Sequence, residues 1–257
     1  MKLSFAEYGE GPPLLILHGL FGSGRNWTGV AKALAGSWRV VAVDLRNHGA
    51  SPWDAAMDYQ AMAGDVLDLI AAERLGRPVV LGHSMGGKTA MAAALSAPDA
   101  FRAVIVADIA PAAYSHSHEA YVDILRGVDL AAIGRRSEAD EALRDAVPEA
   151  GLRSFLLQNL VFEDGAARWR VNLDAIAGNM AALVGFPFLP GTVSYGGPAL
   201  FVAGAASPYI GAQHHDAIRA FFPKAAVETV AGAGHWVHAE KPAEFLEIVG
   251  DFLAGLP

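Results

Sequence analysis

The 257-residue sequence contains no cysteine. That absence excludes disulfide bonds, thiolate catalysis and cysteine-ligated metal sites together. Internal repeats and low-complexity tracts are also missing, which favours one large domain with an insertion over a repeat array. Charged residues make up 18% and hydrophobic residues 53% of the chain, a composition that predicts an ordered rather than a disordered protein.

Clusters of basic residues are absent as well, and the net charge is −8. Such a chain is a poor partner for a nucleic-acid backbone or an anionic membrane surface. No stretch approaches the roughly 20 consecutive apolar residues of a membrane span, and residues 1–19 lack the features of a secretory signal. We therefore expect a cytoplasmic protein that binds no nucleic acid and does not span a membrane.

Short, continuously apolar runs recur along the chain. They are Leu14 to Leu17, Val40 to Val43, Val79 to Leu81, Val104 to Ala107, Ala199 to Val202 and Val227 to Val230. Continuous apolarity is typical of strands covered by helices on both faces, so the pattern predicts an α/β fold with a mostly parallel central sheet. Ligands of such sheets gather at the carboxyl ends of the strands.

The alternation of strands and helices stops over residues 112–190, which are rich in Ala, Leu, Arg and Glu. Two amphipathic stretches there, Glu119 to Leu125 and Glu138 to Val147, have helical periodicity. We expect a helical insertion that either covers the strand ends as a lid or extends the packing of the core. The core then comprises residues 1–111 and 191–257.

The segment from Val79 to Lys88 carries the clearest chemical signal. A predicted buried strand runs into Gly82-His-Ser84-Met-Gly86 and then into a helix-forming stretch. A sharp strand-to-helix turn strains the backbone of its central serine, and only small residues fit two positions before and after it. The context predicts a nucleophile elbow with Ser84 as the attacking residue, the alternative being an ordinary glycine-rich turn.

A serine hydroxyl is a weak nucleophile at neutral pH and needs a positioned base. Among nine histidines, His235 follows the last predicted strand and a glycine-rich turn, which is where the order nucleophile, acid, base places the base. His238 competes on position but lies beyond that turn. His83 is fixed inside the elbow, where we expect it to pack or form a hydrogen bond.

The segment from His18 to Phe21 ends the first predicted strand, at the place where an oxyanion loop is expected. Backbone N–H groups beside the nucleophile can stabilise the oxyanion of a tetrahedral intermediate without reorganising. We predict the N–H groups of Leu20 and Met85 as the donors, with Phe21 as the alternative to Leu20. His18 is interpreted as a hydrogen-bonded anchor of the loop.

The acid of a Ser-His-Asp triad is missing from its usual position after the fifth predicted strand, where residues Gly204 to Ser207 include no carboxylate. The nearest downstream carboxylate, Asp216, is expected to begin or cap a helix. Asp108 ends the strand next to that of the nucleophile and could reach the same face of His235. We predict Asp108 as the acid, and a loop-capping role is its alternative.

Several further motifs extend over nearly the whole chain. With the elbow they are His18-Gly-Leu-Phe-Gly-Ser23, Asp44-Leu-Arg-Asn-His-Gly49, Gly82-His-Ser-Met-Gly-Gly-Lys88, Asp108-Ile-Ala-Pro111, Trp169-Arg-Val-Asn172, Ser207-Pro-Tyr209 and Gly234-His235. Together they resemble the YbfF-type esterases of the α/β-hydrolase superfamily.

That resemblance implies an α/β-hydrolase fold with a helical cap, hydrolysis of acyl esters and no cofactor. The sequence itself has no convincing metal-binding constellation, so we expect no metal. It also implies that the acid is displaced to Asp108, with Ser207 as an auxiliary hydrogen-bonding group near the histidine. Asn47 and His48 belong to a motif of the family, and we interpret both as structural.

The motifs predict a carboxylesterase that works through an acyl-enzyme intermediate. A thioesterase or acyltransferase would use the same residues, and a non-catalytic module that binds a small ligand is the alternative from another class. Phe21, Trp27 and Trp236 are candidates for an apolar acyl pocket, because ligand sites are mostly apolar; core packing is their alternative role.

Overall fold

The computed structural model describes residues 1–115 and 118–257. Their strands are β1 (Ser4–Tyr8), β2 (Pro13–Leu17), β3 (Arg39–Asp44), β4 (Val79–His83), β5 (Ala103–Ala107), β6 (Leu160–Glu163), β7 (Ala166–Trp169), β8 (Ala199–Gly204) and β9 (Ala225–Val230). Their α-helices are α1 (Thr28–Leu34), α2 (Tyr59–Ala72), α3 (Met85–Ser96), α4 (Glu119–Arg126), α5 (Arg136–Leu143), α6 (Ala150–Leu157), α7 (Leu173–Gly178), α8 (Met180–Val184), α9 (His215–Phe221), α10 (Val237–Glu240) and α11 (Pro242–Ala254).

A seven-stranded sheet in the order β1-β3-β2-β4-β5-β8-β9 forms the centre of the fold. The strands from β3 to β9 in this order run parallel, which confirms the α/β prediction, and each of the six predicted strands is one or two residues longer than expected. β1 was not predicted. It pairs antiparallel with β3 at the sheet edge and is only partly buried, so it lacks a continuous apolar run.

Apolar layers cover both faces of the sheet. One layer includes Met62 of α2 and Met91 of α3, and the other includes Val30 of α1 and Val249 of α11. Strands β4 and β5 are therefore buried along their whole length. Burial on both faces is the physical reason that these strands are apolar at consecutive positions rather than at alternate ones.

Residues 112–190, which we call the cap segment, contain α4 to α8 and the β6–β7 hairpin. The segment is therefore not wholly helical as expected. Asp164 and Gly165 form the hairpin turn, both with positive φ (50° and 81°), and an Asp-Gly pair favours such a turn. The second predicted helix ends at Leu143 instead of Val147. Pro148 disfavours helical backbone at Val147, the residue directly before it.

The link between β4 and α3 is a sharp turn at Ser84, which has a φ of 52° and a ψ of −118°. The turn brings three backbone segments into close contact. A Cβ atom on Gly86 would lie 2.3 Å from the carbonyl oxygen of Leu17 and 2.5 Å from that of His18. Glycine is therefore required at this position by the approach of β2 to α3.

Four buried histidines lie near the carboxyl ends of the strands. Burial lowers the pKa of His18 to about 4 and the pKa of His48 to about 3. Burial, reinforced by the nearby His235, lowers the pKa of His238 to about 3, and the pKa of His83 is also well below its ordinary value. All four are neutral in the folded protein near pH 7.

Among the described residues, no helix combines the length and apolarity needed to cross a membrane.

Replacing Gly86 by alanine should destabilise the fold by about 3 kcal/mol or more, because the new methyl group meets backbone atoms that cannot move independently. The matched control is Gly64→Ala in α2, where no atom lies within 4 Å of the added Cβ. That change should stabilise the protein by about 0.5–1 kcal/mol. Urea unfolding monitored by circular dichroism measures both, and equal effects at the two sites would contradict the packing argument.

The free energy of unfolding should fall as the pH drops from about 6.5 towards 4. In this range the buried histidines stay neutral in the folded protein but become protonated in the unfolded chain. His238→Phe removes one such group but keeps a ring to stack on Trp27, whose ring centroid lies 3.9 Å away. The slope of unfolding free energy against pH should decrease by about 1.4 kcal/mol per pH unit in this range. Identical slopes for the unmodified protein and the His238→Phe variant would show that His238 is protonated in the folded state.

Candidate active site

Ser84 lies between the end of β4 and the first residue of α3, partly exposed to a cavity at the carboxyl edge of the sheet. Its backbone N–H donates to the carbonyl of Ala107 in β5 at 3.1 Å, which ties the turn to the neighbouring strand. The left-handed φ of a non-glycine residue is uncommon and stores strain that the surrounding contacts must hold. These contacts hold Ser84 in the turn at the cavity, directly after strand β4.

Asp108 follows β5 directly and is fully buried. Its backbone N–H donates to the Val202 carbonyl at 2.9 Å, and its φ of 50° turns the chain out of the strand. The Oδ1 atom accepts the N–H of Gly204 at 2.9 Å, and Oδ2 accepts the hydroxyl of Ser207. A buried carboxylate is expensive unless it is hydrogen-bonded, and these donors from β8 and the turn after it meet that requirement.

His235 lies in the loop between β9 and α10, with its Nδ1 atom 2.8 Å from Oδ2 of Asp108. An ionised carboxylate only accepts hydrogen bonds, so Nδ1 carries the proton and the Nε2 lone pair is left for another donor. Tyr209 stacks on the imidazole with ring centroids 4.1 Å apart, and His83 contacts it at 4.6 Å. The structure therefore brings the predicted base and the predicted acid together.

Glu240 fixes the loop that carries His235. Its carboxylate accepts the backbone N–H groups of Gly234 at 2.6 Å and of Trp236 at 3.1 Å, the two residues that flank the histidine. His83 adds a further contact, because its Nε2 atom lies 2.8 Å from the His235 carbonyl. The sequence reasoning missed Glu240; its position five residues after the histidine, at the end of α10, gives no signal by itself.

Ser84 and His235 both line the same cavity. Within the described part of the chain, the Ser84 hydroxyl forms no hydrogen bond with His235; such catalytic bonds are often long before substrate binds. Asp216, the alternative acid, has a side chain that is 99% exposed and lies 3.6 Å from Arg219. Because its carboxylate is exposed and lies beside Arg219, Asp216 is not the partner of the His235 imidazole.

Two buried histidines shape the loop from His18 to Phe21. His18 accepts the N–H of Leu45 on Nε2 at 3.0 Å, so it anchors the loop as expected. His48 accepts the N–H of Phe21 on Nε2 at 3.2 Å. The N–H of Phe21, the alternative oxyanion donor, is thus already bonded to His48. The described residues offer no acceptor to the N–H of Leu20.

Met85 is the first residue of α3, and the first N–H groups of a helix have no acceptor within the helix. The positive end of the helix dipole also lies there, next to Ser84. Leu20 and Met85 line a common small cavity beside the serine. Both predicted oxyanion donors are therefore on the walls of one space.

The cavity over Ser84 has a volume of about 220 Å³ and a mostly apolar lining. Phe21, Trp27 and Trp236, the candidates for an apolar acyl pocket, all line it. The cap segment adds Tyr121 and Phe155, so the lining comes from the core and the cap segment together. Trp27 is only 1% exposed and stacks on His238, so it is a core residue as well as a lining residue.

Lys88, the fourth residue of α3, has a buried side-chain amine that the sequence reasoning did not interpret. Its Nζ atom donates to the carbonyl of Val184 at 3.0 Å and to that of Gly185 at 2.5 Å, both at the end of α8. The ring of Tyr114 lies 4.8 Å from the ammonium group. Burial lowers the pKa of Lys88 to about 7. The signal in the sequence was a lysine directly after the two glycines of the elbow.

No group of three or more His, Asp or Glu side chains in residues 1–115 and 118–257 is arranged to hold a metal ion.

Comparison with known proteins gives consistent results. The family model described as "alpha/beta hydrolase fold" matches residues 12–242. The sn-1-specific diacylglycerol lipase ABHD11 of Xenopus tropicalis is 43% identical over 255 residues, which are 95% of this chain and 78% of that protein. Esterase YbfF of Escherichia coli K12 is 37% identical over 242 residues, or 94% of this chain and 92% of that protein.

Among solved structures, one titled "Marine microorganism esterase" superposes with a TM-score of 0.95 at 37% identity and covers 98% of this chain and 99% of that one. The resemblance to YbfF-type esterases is thereby confirmed, and so is the predicted fold class. The chain belongs to the alpha/beta hydrolase fold family.

Proposed function

We propose that this protein is a carboxylic ester hydrolase that acts on small acyl esters through Ser84, His235 and Asp108. The observation that carries the proposal is the 2.8 Å contact between Nδ1 of His235 and the buried carboxylate of Asp108, at the rim of a cavity that also exposes Ser84. That contact leaves the second ring nitrogen free to act as a base. The relatives named esterases and lipases agree with this class of reaction.

In the proposed mechanism, Oγ of Ser84 attacks the ester carbonyl carbon while Nε2 of His235 takes the hydroxyl proton. The N–H groups of Leu20 and Met85 stabilise the oxyanion. His235 then returns the proton to the leaving alcohol, and the acyl group stays on Ser84. A water molecule deprotonated by His235 attacks this acyl-enzyme, and its collapse releases the acid and restores the serine.

Asp108 holds the imidazole in the tautomer that this sequence needs and stabilises the imidazolium that forms. Ser207 donates a hydrogen bond to the same carboxylate oxygen that faces His235, which supports an auxiliary role. The cap segment covers the cavity from above, and its aromatic residues provide apolar surface for the substrate. The cytoplasm stays the predicted compartment.

Replacing Ser84 by alanine should lower ester hydrolysis by about 10⁴-fold or more, because no other hydroxyl at the cavity is part of the elbow. A fluorophosphonate probe should label the unmodified protein and not the variant, since only an activated serine reacts. Ser207→Ala is the control, because it keeps the nucleophile and should remain labelled. Turnover of Ser84→Ala within tenfold of the unmodified protein would contradict the assignment, and a protein that the probe never labels would favour a binding module.

Asp108→Asn should lower kcat by about 10²- to 10⁴-fold, because the amide can neither fix the tautomer nor balance the imidazolium charge. Ser207→Ala should cost only about tenfold, the equivalent of one hydrogen bond. Steady-state kinetics on p-nitrophenyl esters, run beside acyl-CoA thioesters, measure both changes and also separate an esterase from a thioesterase. Adding Ser207→Asp to Asp108→Asn should restore part of the activity. An Asp108→Asn enzyme with near-full activity would exclude the displaced acid.

A further inference from the structure

Two cavities open beside Ser84, and they differ in size and in lining. The larger, about 220 Å³, is lined by His235 and by aromatic residues that include Phe155 and Trp236. The smaller, about 30 Å³, is lined by Met85 and by cap-segment residues such as Met180. Ser84 and Leu20 line both. An ester bound at the serine therefore has two unequal spaces for its two halves.

The proposed chemistry decides which half lies where. The leaving-group oxygen must receive a proton from His235, and His235 lines the larger cavity but not the smaller one. The carbonyl oxygen must face the N–H groups of Leu20 and Met85, and of these two residues Met85 lines only the smaller cavity. We infer that the smaller cavity holds the acyl group and the larger one holds the alcohol, so that the enzyme hydrolyses short-chain acyl esters of bulky apolar alcohols. This inference rests on the proposed function.

The volume of the smaller cavity sets the length of the acyl chain. One water-sized group needs roughly 10–15 Å³, so the 30 Å³ of the smaller cavity accommodates about two such groups. An acetyl or propionyl chain places one or two carbons beyond its carbonyl carbon. A hexanoyl chain would exceed the space by several methylene groups.

The walls of the smaller cavity are held in place by hydrogen bonds between the core and the cap segment. Lys88 is 2% exposed and donates to the carbonyls of Val184 and Gly185, which end α8. Tyr59 donates its hydroxyl to the Leu183 carbonyl at 2.7 Å. Met180, on the same helix, is 2% exposed. Because these bonds fix α8 against α2 and α3, the cavity cannot widen for a longer chain without breaking them.

Several aromatic walls of the larger cavity are less tightly packed than the walls of the smaller one. Tyr121, Phe155 and Trp236 are only partly buried there, and the ring centroids of Phe155 and Trp236 are 5.9 Å apart. Partly exposed aromatic side chains can change rotamer at lower cost than packed ones. This space therefore suits a bulky apolar alcohol, so the inference assigns Phe21, Trp27 and Trp236 to the alcohol instead of to the acyl group expected from the sequence.

Two substrate series test the inference on the full chain. p-Nitrophenyl acetate, propionate, butyrate and hexanoate vary the acyl chain at a constant leaving group, and kcat/KM should fall at least tenfold from propionate to hexanoate. Benzyl and 2-naphthylmethyl acetates vary the size of the alcohol at similar leaving-group acidity, and the larger ester should be hydrolysed at least as well. A preference for hexanoate over acetate would overturn the inference.

Paired variants then locate each half of the substrate. Met180→Ala enlarges the smaller cavity and should raise the hexanoate-to-acetate ratio of kcat/KM about tenfold. Phe155→Ala, the control in the larger cavity, should leave that ratio within twofold and change the ratio between the two arylmethyl acetates instead. Each ratio is taken within one variant, so it does not depend on the fraction of active enzyme.

Leu183→Ala serves the same purpose as Met180→Ala if the latter does not fold, since Leu183 lines the same cavity. A hexanoate ratio that responds to Phe155→Ala and not to Met180→Ala or Leu183→Ala would place the acyl group in the larger cavity and refute the assignment. If the proposed function itself is wrong, the unmodified protein hydrolyses no ester of either series and is not labelled by a fluorophosphonate probe.

Discussion

The close contact of backbone segments at the turn after β4 is the constraint on which the other features of the site depend. A Cβ atom on Gly82 would lie 2.2 Å from the Gly86 carbonyl oxygen, and one on Gly86 would meet the carbonyls of Leu17 and His18. This proximity allows α3 to begin directly beside the end of β2. As a result Met85 and Leu20 line one small cavity together with Ser84. Fixed backbone dipoles next to a nucleophile can stabilise a developing negative charge without reorganising.

The same sheet edge accounts for the proposed position of the acid, one strand away from the usual one. Asp108 leaves β5 with a left-handed φ, as Ser84 leaves β4, so the two neighbouring strands end in similar turns. The position that lacks a carboxylate, after β8, provides hydrogen-bond donors instead, from Gly204 and Ser207. Those donors hold the carboxylate oxygen against Nδ1 of His235. In the proposed triad the carboxylate therefore comes from the end of β5 instead of β8 and contacts Nδ1 of His235.

The sequence predicted the central sheet well because burial on both faces leaves a simple pattern, a continuous apolar run. It did not predict β1, whose partly exposed residues mix polar and apolar types, nor the hairpin in the cap segment, whose strands have four residues each. Among the site residues, Ser84 and His235 were recognisable because each follows a strand and lies in a glycine-rich context. Glu240 was not, because its role comes from the folding of α10 back over the loop, which brings its carboxylate to the N–H groups of Gly234 and Trp236. Glu240 contacts backbone groups of the loop, and such contacts leave no pattern in the loop's sequence.

The contacts between the core and the cap segment also involve backbone groups. Several of its bonds join a side chain to a backbone carbonyl: Asn159 donates to Phe21 at 2.7 Å, Asn179 to Ala55 at 2.8 Å, and Lys88 to the end of α8. Each is worth about 0.5–1.5 kcal/mol, so displacing the cap segment as a unit would cost several kcal/mol. One of these bonds ends on the residue next to the proposed oxyanion donor Leu20. The position of the cap segment and the geometry of the oxyanion loop are therefore linked, and a substitution at either surface has to be judged by its effect on both.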